Sequence, residues 1–162
     1  MKISALLFDA LTYNAGDAKR IQHLIKVHSF AKLIGTGEGL SPETLELLEA
    51  EAILHDIGIH NSEKKYGSAS GCYQEIEGPP VAREILEKYA LPKEKLERIC
   101  HVIGHHHTYR DIDGADYQIL VEADFLVNIF EDAMKPEQIK SVREKIFKTS
   151  TGRRLLSLLY SM

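Results

Sequence analysis

His55-Asp56 sets an imidazole beside a carboxylate, directly after the apolar run Ala52-Ile53-Leu54 and before Ile57-Gly58-Ile59. Two such groups in apolar surroundings are costly to bury without a partner. A divalent cation satisfies both, because neutral imidazole and carboxylate are ligands for zinc, iron and manganese. Two more candidates stand at helical positions among apolar neighbours, His23 and Asp124. Asp124 lies inside Leu120-Val121-Glu122-Ala123-Asp124-Phe125-Leu126-Val127, where solvation does not explain a carboxylate. Taken singly, Asp56 could cap a helix and Asp124 could pair with a buried arginine. His28 rivals His23, but it lies on another helix face. Neighbouring helical residues point about 100° apart. An ion between those directions can take His55 from one side and Asp56 from the other. The negative C-terminal end of a helix also favours a cation there.

Positioning these groups requires helices. The apolar periodicity is helical almost throughout, and no alternating strand pattern is convincing. Residues 3–13 form a short amphipathic segment. Asp17 is a plausible N-cap for a helix carrying Ile21, Leu24, Val27, Ala31 and Ile34, which Gly35, Gly37 and Gly39 break. Ser41-Pro42-Glu43 starts a helix that ends at His55-Asp56, with Gly58 suited to its C-terminal cap. Residues 60–77 read as a long polar loop containing Lys64, Lys65, Tyr73 and Gln74, and helix returns near Pro80. Pro92 opens another helix, which the triplet His105-His106-His107 ends. Residues 116–131 are the most apolar helix, and helices over 136–160 close the chain.

A chain of 162 residues suits one well-buried core, so the expectation is a single all-α helical bundle over residues 1–162. A net charge of −4 gives no footprint for a nucleic-acid polymer or an anionic membrane. No run approaches the roughly 18 apolar residues of a membrane span, and no signal peptide is evident. Two cysteines, Cys72 and Cys100, make no disulfide framework and fit a reducing cytoplasm.

The order His23, then His55-Asp56, then Asp124 resembles the HD superfamily of metal-dependent phosphohydrolases. Ala52-Ile53-Leu54-His55-Asp56-Ile57-Gly58 is similar to the family's central motif almost letter for letter. His23-Leu24-Ile25-Lys26-Val27 with Ala31 is similar to its first motif, and Val121-Glu122-Ala123-Asp124 to its last. Gly78 through Leu86 resembles the helix between the central and distal motifs. The resemblance covers about residues 19–131, with helices 136–160 packing on that part. It implies an all-α bundle in which His23, His55, Asp56 and Asp124 hold one divalent ion: manganese, iron, zinc, nickel, cobalt or magnesium. Such an ion polarises a phosphoryl oxygen and lowers the pKa of bound water. His55 and Asp56 are then the catalytic pair, with Asp56 orienting that water.

Two departures from the family pattern bear on the expectation. Gln74 aligns where dinuclear members carry a further histidine, which argues for one ion rather than two. Ile59 stands where many members carry a charged residue. The family's paired histidines fall within the triplet, with His106 favoured as inward and His105 next, as ligands of a second ion or of substrate phosphate. The substrate loop, with Lys64, Lys65, Tyr73 and Gln74, is a further candidate. The expected function is a cytoplasmic phosphohydrolase that cleaves a phosphate ester of a small molecule, a nucleotide among the candidates. The alternatives are a di-iron oxygenase on the same scaffold and a non-catalytic sensor of a nucleotide or metal.

Overall fold

Helix α3 (Pro42–Leu54) is the centre of the molecule, and its sequence explains why. From Leu48 to Leu54 every residue is buried, so this helix needs cover on all sides. A computed structural model describes residues 1–161 and consists of helices α1 (Ile3–Tyr13), α2 (Ala18–Gly37), α3 (Pro42–Leu54), α4 (Ile59–Tyr66), α5 (Gly71–Leu86), α6 (Lys93–Ile103), α7 (Ala115–Glu131), α8 (Pro136–Lys145) and α9 (Ser150–Tyr160). A short 3-10 turn over Glu87–Tyr89 follows α5. No strand occurs among the described residues.

Two apolar cores flank α3. On one side Leu48 and Ala52 join Val27, Ala31 and Ile34 of α2 and Leu120, Ala123 and Val127 of α7, with Phe147 and Leu156 closing from the C-terminal segment. On the other, Ala50, Ile53 and Leu54 join Leu6 and Ala10 of α1, Ala82 and Leu86 of α5, and Ile99 and Ile103 of α6. Asp17 caps α2 by accepting from Arg20 N at 3.1 Å, and Ser41 caps α3 by accepting from Thr44 N at 3.1 Å. Both starts match their sequence signals.

The expected loop over 60–77 is not a loop. It is α4, a four-residue connector at 67–70, and the first two turns of α5. Gly67 takes the left-handed conformation that ends α4, at φ 63°. Its turn signal is therefore real, but it marks a short break. Pro79 and Pro80 lie inside α5 rather than at its start, leaving the carbonyls of Glu75 and Ile76 without their usual helical donor. Packing overrides that cost, because Gln74, Glu77 and Gly78 are buried against the neighbouring helices.

Gly58 is not a left-handed cap either, since its φ is −80°. Its reason is proximity: a Cβ there would lie 2.4 Å from the backbone nitrogen of Gly78. Glycine lets α5 pass directly under the turn that carries His55 and Asp56.

Candidate metal centre

Three helices aim their polar side chains at one point. His23 comes from α2, His55 and Asp56 from the turn after α3, and Asp124 from the middle of α7. His23 Nε2 lies 3.2 Å from His55 Nε2, 3.2 Å from Asp124 Oδ1 and 3.5 Å from Asp56 Oδ2. His55 Nε2 lies 3.6 Å from Asp56 Oδ2 and 3.7 Å from Asp124 Oδ1. Ligands about 2.1 Å from a common ion in tetrahedral array stand about 3.4 Å from each other. The observed separations bracket that value; His23, His55 and Asp56 could hold a metal ion together, with Asp124 Oδ1 beside both imidazoles.

The outer nitrogens fix the tautomers. His55 Nδ1 donates to Ala52 O at 2.9 Å, and His106 Nδ1 donates to Ile103 O at 2.7 Å. A carbonyl only accepts, so these protons sit on Nδ1. His23 Nδ1 is 3.0 Å from Glu131 Oε2, and Lys26 Nζ donates to Glu131 Oε1 at 2.5 Å. Burial works against the Glu131 carboxylate, but Lys26 and His23 outweigh it and hold its pKa low. Glu131 is therefore an acceptor, and His23 donates to it. His23 and His55 each then turn a lone pair on Nε2 inward, towards the carboxylates of Asp56 and Asp124. Lone pairs that face each other across 3.2 Å repel unless a cation or a proton lies between them.

Burial disfavours the charged form of His23, but the Asp124 hydrogen bond and the Asp56 charge overcome it and push its pKa up to about 9. The His55 imidazole is raised in the same way, by Asp56 and Asp124 against its own burial. Burial likewise opposes ionisation of Asp56 and Asp124. The neighbouring histidines win, and both carboxylates stay ionised well below the usual range. This donor set fits a divalent ion, with two carboxylates to balance its charge and two imidazoles oriented by fixed partners.

Asp56 also belongs to a second group. Its Oδ1 lies 3.3 Å from His106 Nε2, and Asp56, His106 and His107 could hold a metal ion together. His107 Nε2 is buried without a hydrogen-bond partner, and burial, aided by the charge of His106, drives its pKa down to about 4. The triplet thus resolves as His106 inward with His107 beside it. His105 was the expected second residue, but it is exposed, with its Nδ1 donating to His101 O at 2.7 Å. The turn that ends α6 rotates it away from Asp56.

The proposed substrate loop is displaced along with the loop itself. Lys64 is exposed on α4. Lys65 Nζ donates to Glu77 Oε2 at 2.5 Å, and Tyr66 OH donates to Glu77 Oε1 at 3.1 Å. Tyr73 stacks on Tyr66 with ring centroids 4.1 Å apart. These contacts pin α4 to α5. Gln74 is buried, its Nε2 donating to Ala69 O at 2.9 Å and its Oε1 unpartnered. His28 is occupied by Glu49 at 2.8 Å, away from the cluster.

Sequence reasoning missed Glu131 and Arg20. Glu131 lies two helical turns after Asp124, and Arg20 one turn before His23, so helical spacing places each on the face of a suspected ligand. With His23 and Asp56 they line a cavity of about 270 Å³ that opens onto the cluster.

A family model for the HD domain matches residues 20–149. The crystal structure of a predicted HD superfamily hydrolase from an uncultured Thermotogales bacterium shares the fold with a TM-score of 0.67 at 24% identity. That match covers 99% of this chain and 84% of the other. No curated protein matches the sequence. The family match takes in His23, the His55-Asp56 pair and Asp124 and spans most of the helices around them, and the chain belongs to the HD domain family.

Proposed function

We propose that the protein is a metal-dependent phosphohydrolase that cleaves a phosphate ester of a small molecule, with nucleotides among the candidate substrates. The observation that carries this reading is the convergence of His23, His55, Asp56 and Asp124 on one centre beside an open cavity. A divalent ion bound there supplies Lewis acidity and lowers the pKa of coordinated water. His23 and His55 present nitrogen lone pairs, and the buried Asp124 balances charge. Asp56 faces the cavity and orients the attacking water. His106 has committed its Nδ1–H to Ile103, so its Nε2 is the nitrogen that meets Asp56 Oδ1, at 3.3 Å. The small cavity and the net charge of −4 favour a small-molecule substrate over a nucleic-acid polymer.

The test is a phosphatase panel with manganese, iron, cobalt, nickel, zinc or magnesium, run beside elemental analysis. His55→Ala and Asp56→Ala should each lose bound metal and turnover together. Retention of both by either variant overturns the assignment. The Asp56, His106 and His107 group supports a second reading, in which two ions share Asp56 as in an oxygenase. Two irons per chain with oxygen consumption, and no phosphate release, would select it. Tight nucleotide binding with no product in any assay would instead select a sensor.

A further inference from the structure

Arg20 lines the same cavity as His23 and Asp56, one turn earlier on α2. Its Nη1 donates to Asp17 Oδ2 at 2.5 Å and lies 3.3 Å from His60 Nδ1, and its Nη2 donates to Glu63 Oε1 at 2.6 Å. A guanidinium has only donors, so His60 Nδ1 accepts and His60 carries its proton on Nε2. That proton goes to Asn14 Oδ1, 3.1 Å away. Asn14 is buried and its Nδ2 donates to Ala10 O at 2.9 Å, which fixes its amide orientation. The guanidinium is thus held from α1 through Asn14, from α4 through His60 and Glu63, and from its own helix through Asp17. Both Nη1 hydrogens and one Nη2 hydrogen are engaged. The Nε–H and the second Nη2 hydrogen have no acceptor among the described residues.

We infer that Arg20 is a substrate-binding residue whose open Nε side takes oxygens of a phosphoryl group, or another oxyanion, of a molecule seated at the metal cluster. This inference rests on the phosphohydrolase reading and extends it by naming the residue that receives the anion. Planar paired donors match phosphate geometry, and a single ammonium does not reproduce them. Asp17 and Glu63 already balance the charge of Arg20, so its contribution is directional, and lysine is a poor substitute. His60 and Asn14 are positioning residues that act through it. The competing explanation makes Arg20 only a bridge between α2 and α4.

The test uses manganese-loaded protein and inorganic phosphate as the calorimetric probe, together with kinetics on any ester the wild type hydrolyses. Arg20→Lys and Arg20→Gln should keep their metal stoichiometry and bind phosphate at least 10-fold more weakly, with the two variants alike. His60→Ala should raise KM several-fold with little change in kcat, an effect that a mere helix bridge would not produce. If Arg20→Gln fails to fold by circular dichroism, Arg20→Lys alone decides. Wild-type phosphate affinity and KM in Arg20→Lys would overturn the inference and leave the hydrolase reading standing. A manganese-loaded wild type that binds no phosphate and cleaves no ester would sink both.

Discussion

Two imidazole nitrogens 3.2 Å apart, each with its other nitrogen committed to an outer partner, are a demand for positive charge. Without a metal, protons meet that demand: against the effect of burial, the Asp124 hydrogen bond and the Asp56 charge raise the His23 pKa to about 9. The sign of the linkage follows. The ion-free protein has this stabilisation in full below the ordinary histidine value of 6.5, and loses it as pH rises through about 9. Metal binding must displace the same protons. Manganese affinity should therefore weaken steadily as pH is lowered below about 9. Loading at pH 8 should release protons, measurable as a buffer-dependent heat in calorimetry. A loading heat independent of buffer ionisation contradicts the assigned protonation. Glu131 acts through His23, so Glu131→Gln should lower metal affinity by about 10–100-fold while the fold persists. Unchanged affinity would mean that the Lys26–Glu131 pair is only a surface tie. The four central residues could be read from the chain because their types conflict with apolar surroundings. Glu131 could not, since a glutamate at a helix end has an ordinary explanation in solvent.

The turn between α3 and α4 is the element on which the site depends. It has room for α5 because Gly58 lacks a side chain. A Cβ on Gly58 would approach backbone, which cannot move aside as a side chain can. Gly58→Ala should cost about 1–3 kcal/mol in denaturant unfolding and reduce metal content along with stability. A neutral effect would show that α5 is free to slide. Glu51, one turn before His55 on α3, is a liability of another kind. It is fully buried, and neither carboxylate oxygen has a partner. Burial, reinforced by the charge of Asp116 and opposed by Arg98, raises its pKa well above the usual value; Asp113 adds to the rise. The folded protein thus keeps a proton that the unfolded chain gives up near pH 4.5, and stability falls as pH rises above that value. Glu51→Gln should flatten this decline and raise the melting temperature at neutral pH. An identical pH slope in the variant would mean that Glu51 is ionised in the folded state. Helix starts at Asp17 and Ser41 were plain in the sequence because capping chemistry is local. The span 60–77 misled because its polar residues serve α4 and α5. The burial of Gln74 and Glu77 against neighbouring helices has no local signature.

At the level of the whole molecule, the burial of α3 from Leu48 to Leu54 on every side explains how so small a protein can build an internal polar centre. Apolar clusters on both flanks hold α2, α3 and α7 in place, so side chains far apart in the chain meet. Among the described residues no helix is long and apolar enough to cross a membrane. The all-α architecture was readable from periodicity, and the meeting of His23, His55, Asp56 and Asp124 from motif order. The orientation of the histidine triplet was not, because three consecutive identical residues differ only in how the helix end turns. The measurement that bears most directly on the account is anomalous diffraction from crystals soaked in manganese. The account predicts a peak within about 2.0–2.3 Å of His23 Nε2, His55 Nε2 and carboxylate oxygens of Asp56 and Asp124. A fully soaked crystal with manganese bound elsewhere and none between these four side chains would contradict it.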